Sequence, residues 1–254
     1  MRKILLIVEF LGTHYSGWQL QPNAPSVQGV VEDALAKVLG QAVRLHSAGR
    51  TDAGVHARRM PAHFQTEVNL PTVAFRDGVN RFLPADIAVQ EAREVPDGFH
   101  ARFSACRKWY RYTLFLNQVR SPLSAQTSWH LKRSLDLQAM KAGAFNLVGH
   151  HDFSAFRSST CAAKTTAREI FDIQFSQDGP FLFLDFHGSG FLKNMVRMMV
   201  GTLIEIGLGK RPADDIARLL NRERGLRSGP TAPPQGLCLM DVYYNRLIDG
   251  TCQH

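Results

Sequence analysis

One carboxylate stands by itself in the stretch HSAGRTDAGVHARRM, residues 46–60. Asp52 has Arg50, Arg58, Arg59, His46 and His56 around it, and the nearest other acids along the chain are Asp33 and Glu67. Gly49, Thr51, Ala53 and Gly54 flank it closely. Guanidinium neighbours favour the ionised form, and an ionised, partly enclosed carboxylate is competent as a nucleophile or base. Glycines on both sides let main chain approach a ligand. The plainer alternative is a turn or helix cap, the commonest duty of Asp in a glycine-flanked loop. Two-carboxylate glycoside chemistry needs a second acid facing the first. The local sequence has none, so the simplest reactive reading is covalent chemistry by one acid.

A second stretch, FHARFSACRKWYRY (99–112), interleaves Phe99, Phe103, Trp109, Tyr110 and Tyr112 with Arg102, Arg107, Lys108 and Arg111. No Asp or Glu occurs from 98 to 135. Cations neutralise phosphates and aromatic rings stack on exposed bases, so the run suits a polyanion, RNA first. The competing reading puts the aromatics in a core and the charges on a solvated face. A third feature is Arg197 inside the apolar MVRMMV, on a helix predicted over 191–209 that would set Lys193 and Arg197 four residues apart on one face. A buried cation needs a partner. Asp52 is the attractive one; the alternative is that Arg197 reaches solvent over a sheet edge.

Other patterns are weaker. GHHDF (149–153) lacks helical HxxxH spacing and reads as a structural turn, not a metal site. GSGFLKN (188–194) lacks the ending of a phosphate-binding P-loop and the dinucleotide glycine spacing. Cys106, Cys161, Cys238 and Cys252 form no CxxC pair, and scattered thiols fit a reducing compartment.

Periodicity supplies the elements that must carry these residues. Strands are predicted at 3–10, 42–48, 61–68, 87–95, 107–116 and 236–244, with a hairpin over 167–188 that turns at QDGP. Helices are predicted at 27–40 (capped by Ser26, stopped by Gly40), 72–84 (closed by Pro84), 135–149, 191–209 as the longest, and 213–221. The order strand, helix, strand, strand, helix, strand occurs before about residue 97 and again after it, with insertions. This points to an α+β chain of two related ferredoxin-like or RRM-like halves with mainly antiparallel sheets, 1–105 carrying the Asp52 loop and 106–254 carrying Tyr110 and Arg197. With 254 residues, 44% apolar and 20% charged, the chain has the material for a substantial core. Lys and Arg number 30 against 22 acids, a balance that makes nucleic acid a plausible partner. Glu9 cuts the first apolar run short of a signal peptide, so the N-terminus reads as a buried strand of a cytoplasmic protein.

At these residues the chain resembles the bacterial tRNA pseudouridine synthase A family, over nearly its whole length. GWQ (17–19), GRTDAGVHA (49–57), RFSA leading to YRY (110–112), HDFSAF (151–156), GFLKNMVRMMVG (190–201) and APPQGL (232–237) come in the family's order. GRTDAGVHA is highly specific; Leu11 is a departure, since members often carry an acid there. The resemblance implies the pseudouridine synthase fold and isomerisation of uridine to pseudouridine at positions 38, 39 and 40 of the tRNA anticodon stem-loop, without metal, nucleotide or other cofactor. It implies Asp52 as the catalytic aspartate acting on a flipped-out uridine. It implies that Tyr110 stacks on the uracil, that Arg197 pairs with Asp52, and that Arg50 helps hold the RNA, with Leu237 also at the substrate. Tyr15, Trp18, Gln19, Arg58, Arg102, Arg107, Lys108 and Lys193 are expected tRNA contacts, and a homodimer binding tRNA away from any membrane is the expected assembly. A non-catalytic RNA-binding protein or tRNA folding helper would keep the basic aromatic face and reduce Asp52 to a turn cap. An Asp-dependent hydrolase would instead release base or sugar.

Overall fold

The computed structural model describes residues 1–245. In chain order these form β1 (Arg2–Phe10), α1 (Val27–Leu39), β2 (His46–Ser47), β3 (His56–Thr66), α2 (Thr72–Asn80), β4 (Ile87–Val95), β5 (Ala105–Leu116) and β6 (Trp129–Leu131). Then come α3 (Leu137–Phe145), β7 (Gly149–Asp152), β8 (Ala167–Asp178), β9 (Phe181–Gly188), α4 (Met195–Gly207), α5 (Asp215–Leu220) and β10 (Leu237–Tyr244). The fold is α+β with mainly antiparallel strands. Two compact units are built from Met1–Lys108 with the segment from Cys238 onward, and from Trp109–Leu237. The chain crosses from one to the other within β5.

In the first unit β4, β1, β3, β10 and the start of β5 are neighbours in that order. β1 is antiparallel to both β3 and β4, with Leu5 opposite His63 on one side and Arg93 on the other. β10 is parallel to β3, setting Cys238 against His56. Ile4 through Val8 are all buried, as expected of an interior strand covered on both faces. α1 starts where the Ser26 hydroxyl accepts from the Gly29 amide (3.3 Å) and stops at Gly40, whose φ of 70° only glycine adopts cheaply. α2 packs on β3 through Phe75, edge-on to Phe64 at 5.7 Å.

In the second unit the order is β5, β9, β8, β7, with β6 parallel to β5. Gly179 and Pro180 form the two-residue turn of the β8–β9 hairpin, with Gly179 at φ 52°. Helices α3, α4 and α5 pack tightly enough that a β-carbon on Gly143 would lie 2.9 Å from the Ile206 side chain.

Several sequence expectations need correction. The strand expected over 42–48 is only His46–Ser47, and the one expected to begin at Pro61 begins five residues earlier, at His56. Pro61 therefore lies inside β3; lacking an N–H, it serves the sheet by accepting from the Ala48 amide at 2.8 Å. α2 ends at Asn80, whose side-chain amide instead bridges to the Val89 main chain. α3 ends at Phe145; Gly149, at φ 112°, opens β7 rather than stopping a helix, and GHHD is a strand paired with β8, not a turn. α4 begins at Met195 because Asn194 sits in the left-handed region at φ 62°, so Lys193 precedes the helix and shares no helical face with Arg197. At 13 residues α4 equals α1 and does not exceed it. No described helix is long and apolar enough to cross a membrane. Cys106, Cys161 and Cys238 are thiols; Cys252 lies outside the described residues.

Three imidazoles from separate segments meet in the first unit. His63 lies 4.7 Å from His100 and 5.3 Å from His46, ring to ring. Nδ1 of His63 accepts from the Ala101 amide at 3.2 Å, which leaves the proton of the neutral ring on Nε2. Burial, then the neighbouring His100, His46 and Lys3, push His63 down to about 4 from 6.5. The unfolded chain takes up a proton that the folded chain refuses. The stability gained from a neutral His63 is therefore complete above pH 6.5 and is lost as pH falls toward 4. Thermal unfolding followed from pH 7 to 4 should show a falling Tm, with a shallower slope in His63→Gln, which keeps an acceptor but does not titrate. Equal slopes would exclude His63 as the source.

Candidate active site

The Asp52 loop is held from behind by main chain. Loop 11–26 runs beside loop 48–55, and the Trp18 amide donates to Thr51 O at 3.3 Å while the Gly54 amide donates to Tyr15 O at 3.3 Å. At Gly17 (φ 97°) a β-carbon would overlap the Thr51 carbonyl oxygen, and at Gly12 it would overlap the Val55 carbonyl. Both positions thus need glycine for close approach, and Gly17 needs it for its backbone angle too. The Gly12 amide donates to His56 Nδ1 at 2.9 Å, tying the start of β3 to the same loop. The Val55 amide donates to Asp52 O at 3.1 Å, closing a tight turn around Gly54 at φ 76°. Asp52 emerges half-buried and Arg50 exposed, while Thr51 between them is buried.

The first unit places the remaining expected residues around this loop in different roles. Lys108 reaches back to it: its Nζ donates to Ala48 O at 2.8 Å and lies close beside Gly49. Tyr15 and Trp18 belong to the scaffold. The Tyr15 hydroxyl donates to Asp86 at 2.8 Å, and its phenol pKa is pushed up by burial and then by that carboxylate. Trp18 is 1% exposed and packs 5.8 Å from Phe10. Gln19, Arg58 and Arg102 are exposed, and the Arg107 guanidinium lies over the Tyr243 ring.

The second unit gathers Tyr110, Tyr112, Arg197 and the strap 229–237. Tyr110 and Tyr112 both turn inward from β5. Tyr110 is 8% exposed and meets Phe191 edge-on at 5.2 Å. The Tyr112 hydroxyl donates to Pro233 O at 2.8 Å. Burial pushes its phenol pKa up, and the nearby Arg197 charge opposes that shift. Arg197 Nε donates to Ala232 O at 2.7 Å and its guanidinium also donates to Asn194 Oδ1 at 3.1 Å. The Ala232 amide donates back to Arg197 O, and a β-carbon on Gly201 would overlap Pro230 O, so strap and α4 are in main-chain contact. Leu237 is buried at the start of β10. Lys193 stands apart, exposed, with its ammonium on Thr160 Oγ1 at 3.0 Å.

One charge pattern was hidden from the sequence. The run without acids from 98 to 135 is not without acids in space, because Asp185 on β9 is 5% exposed and faces it. Its carboxylate accepts from Arg111 twice (2.9 and 2.8 Å) and from Trp109 Nε1 (2.6 Å). Trp109 and Arg111 are therefore committed to a part-buried network around that carboxylate. A lone acid inside the apolar FLFLDFHG was the available signal. Among the described residues no cluster of His, Cys, Asp or Glu could hold a metal ion.

Comparison with known proteins identifies the family of the chain. A family model described as tRNA pseudouridine synthase matches residues 6–104 and 144–245. Arg50, Asp52, Arg197 and Leu237 fall inside the matched ranges and Tyr110 between them. The tRNA pseudouridine synthase A of Geobacter sp. strain M21 is 59% identical over 96% of this chain and 99% of its own. That of Citrifermentans bemidjiense is 57% identical over 98% and 100%, and that of Syntrophotalea carbinolica 57% over 96% and 97%.

The loop contact makes a specific demand on stability. Gly17→Ala should cost about 1–3 kcal/mol from the overlap with Thr51 in addition to its backbone strain. Gly40→Ala, also at positive φ but with nothing near its β-carbon, should cost only about 1 kcal/mol. Urea unfolding of both variants measures the difference; equal costs would show that the two loops are not locked together.

Proposed function

The chain belongs to the tRNA pseudouridine synthase family, and from that premise we propose that Asp52 is its catalytic carboxylate and the anticodon stem-loop of tRNA its substrate, at positions 38, 39 and 40. The observation that carries this reading is one half-buried acid fixed from behind by main chain, with an exposed Arg50 beside it. In the reaction the bond from uracil N1 to the ribose C1′ breaks, the base turns in place, and C5 bonds to C1′. The C5 proton leaves and N1 gains one, so uridine and product have the same atoms. Nothing in that balance calls for an oxidant, reductant or group donor.

Each step asks something of the chain. The target base must leave its stack, which costs a few kcal/mol. Exposed cations such as Arg50 and Arg58 offset that by neutralising phosphates. Tyr110 supplies an aromatic surface for the extruded uracil, and Leu237 an apolar wall. Arg197, anchored at Ala232 and Asn194, is the cation that the family resemblance assigns to the catalytic carboxylate. Lys108 and Arg102 extend the basic surface. The family's homodimer is part of this reading.

The test incubates unmodified tRNA transcript with the protein and maps pseudouridine by base-specific chemistry. The wild-type chain should modify positions 38–40, and Asp52→Asn should abolish product while RNA affinity stays within about threefold, since the change is isosteric and leaves the phosphate contacts in place. Full activity in Asp52→Asn would sink the assignment. RNA binding by a wild type that never alters uridine would favour a folding helper instead.

A further inference from the structure

The turn between β4 and β5 presents an aromatic ring that the core does not use. Phe103 is 76% exposed, while Phe99, four residues earlier in the same turn, is 2% exposed. Single exposed apolar residues are ordinary. Here the ring's setting is not. The His100 imidazole lies 4.4 Å from the Phe103 centroid at 38°, and the Arg102 guanidinium lies 5.5 Å from it. The groups set against the ring are thus a weak base and a permanent cation.

The turn is also rigid. The amides of Arg102 and Phe103 both point at His100 Nδ1, at 3.1 and 3.4 Å. The His100 amide donates to Ser104 Oγ at 3.0 Å, and Lys3, from within β1, donates to Phe99 O at 2.9 Å. His63 backs the His100 ring edge-on at 4.7 Å. A ring held this way loses little freedom when something stacks on it, so stacking energy converts efficiently into affinity. Aromatic ring, cation and fixed backbone together are what an unpaired nucleobase with its phosphate binds.

We propose that Phe103, with His100 against its ring and the Arg102 guanidinium over it, is a stacking ledge, distinct from Tyr110, for an unpaired base of the RNA substrate. The base takes the place of the guanidinium over the ring, and Arg102 is long enough to turn to the phosphate of the stacked nucleotide. The proposal rests on the RNA substrate of the proposed function, and the experiment separates the two.

Filter binding of the unmodified tRNA transcript is measured for wild type and for Phe103→Ala, Phe103→Leu and Phe103→Trp, with Tm and oligomeric state recorded for each. Loss of a base stack should weaken Kd about 5- to 100-fold in Ala and in Leu, which has bulk but no π face, while Trp binds as wild type or tighter. Tm should be unchanged, because the ring is mostly outside the core. Unaltered Kd in Ala and Leu overturns the ledge. So does recovery of binding by Leu, or a changed oligomeric state in Ala, either of which would make the ring an apolar contact between two copies of the chain. A wild type that binds transcript without forming pseudouridine overturns the proposed function, and the ledge is then still decided by the Kd series. A wild type that does not bind RNA overturns both.

Discussion

Two main chains cannot come as close as Gly12 and Val55, or Gly17 and Thr51, unless one of each pair lacks a β-carbon. The presentation of Asp52 in the first unit depends on this approach. Loop 48–55 is gripped from behind by amides and carbonyls. Thr51 turns inward and Arg50 turns to solvent, with Asp52 between those extremes. The gripping loop is itself fixed by Trp18 in the core and Tyr15 on Asp86. The second unit uses the same device, with the strap at Pro230 lying on Gly201 of α4 and Arg197 bonded to Ala232, two residues further along that strap.

The division of charge follows from burial. A guanidinium withdrawn from water needs a carboxylate or carbonyls, and Arg111 has Asp185 while Arg197 has Ala232. Cations at the surface carry no such demand. Arg50, Arg58 and Arg102 keep their charge directed outward, where it is worth most to a polyanion and least to the fold.

Local pattern made much of this legible. Ser26 and Gly40 delimit α1 as their types require, and the alternation along β5 put Tyr110 and Tyr112 on its inner side. The isolation of Asp52 among basic residues and the oddity of a cation inside MVRMMV are visible in the sequence itself. What local pattern could not convey was tertiary. Asn194 in a left-handed conformation is a choice made by packing, and it removed Lys193 from the helix. Asp185 meets Arg111 across 74 residues, so no window of sequence joins them. Tyr15 and Trp18 are expected at tRNA through the family resemblance, and nothing in the local pattern of loop 11–26 announces that they are buried. Their burial comes from that loop folding back onto the protein. His46, His63 and His100 come from three segments and carry no spacing that would announce them.

The place of β10 has a consequence for synthesis. It lies parallel to β3 within the first unit, yet it follows every other described strand along the chain. Until the ribosome has extruded residues past Tyr244, β3 and β5 each present an open edge where β10 belongs. Unpaired edges of this kind recruit other chains. The unit that carries Asp52 therefore begins first and is completed last, and a nascent chain stalled anywhere in the second unit is an aggregation hazard rather than half an enzyme.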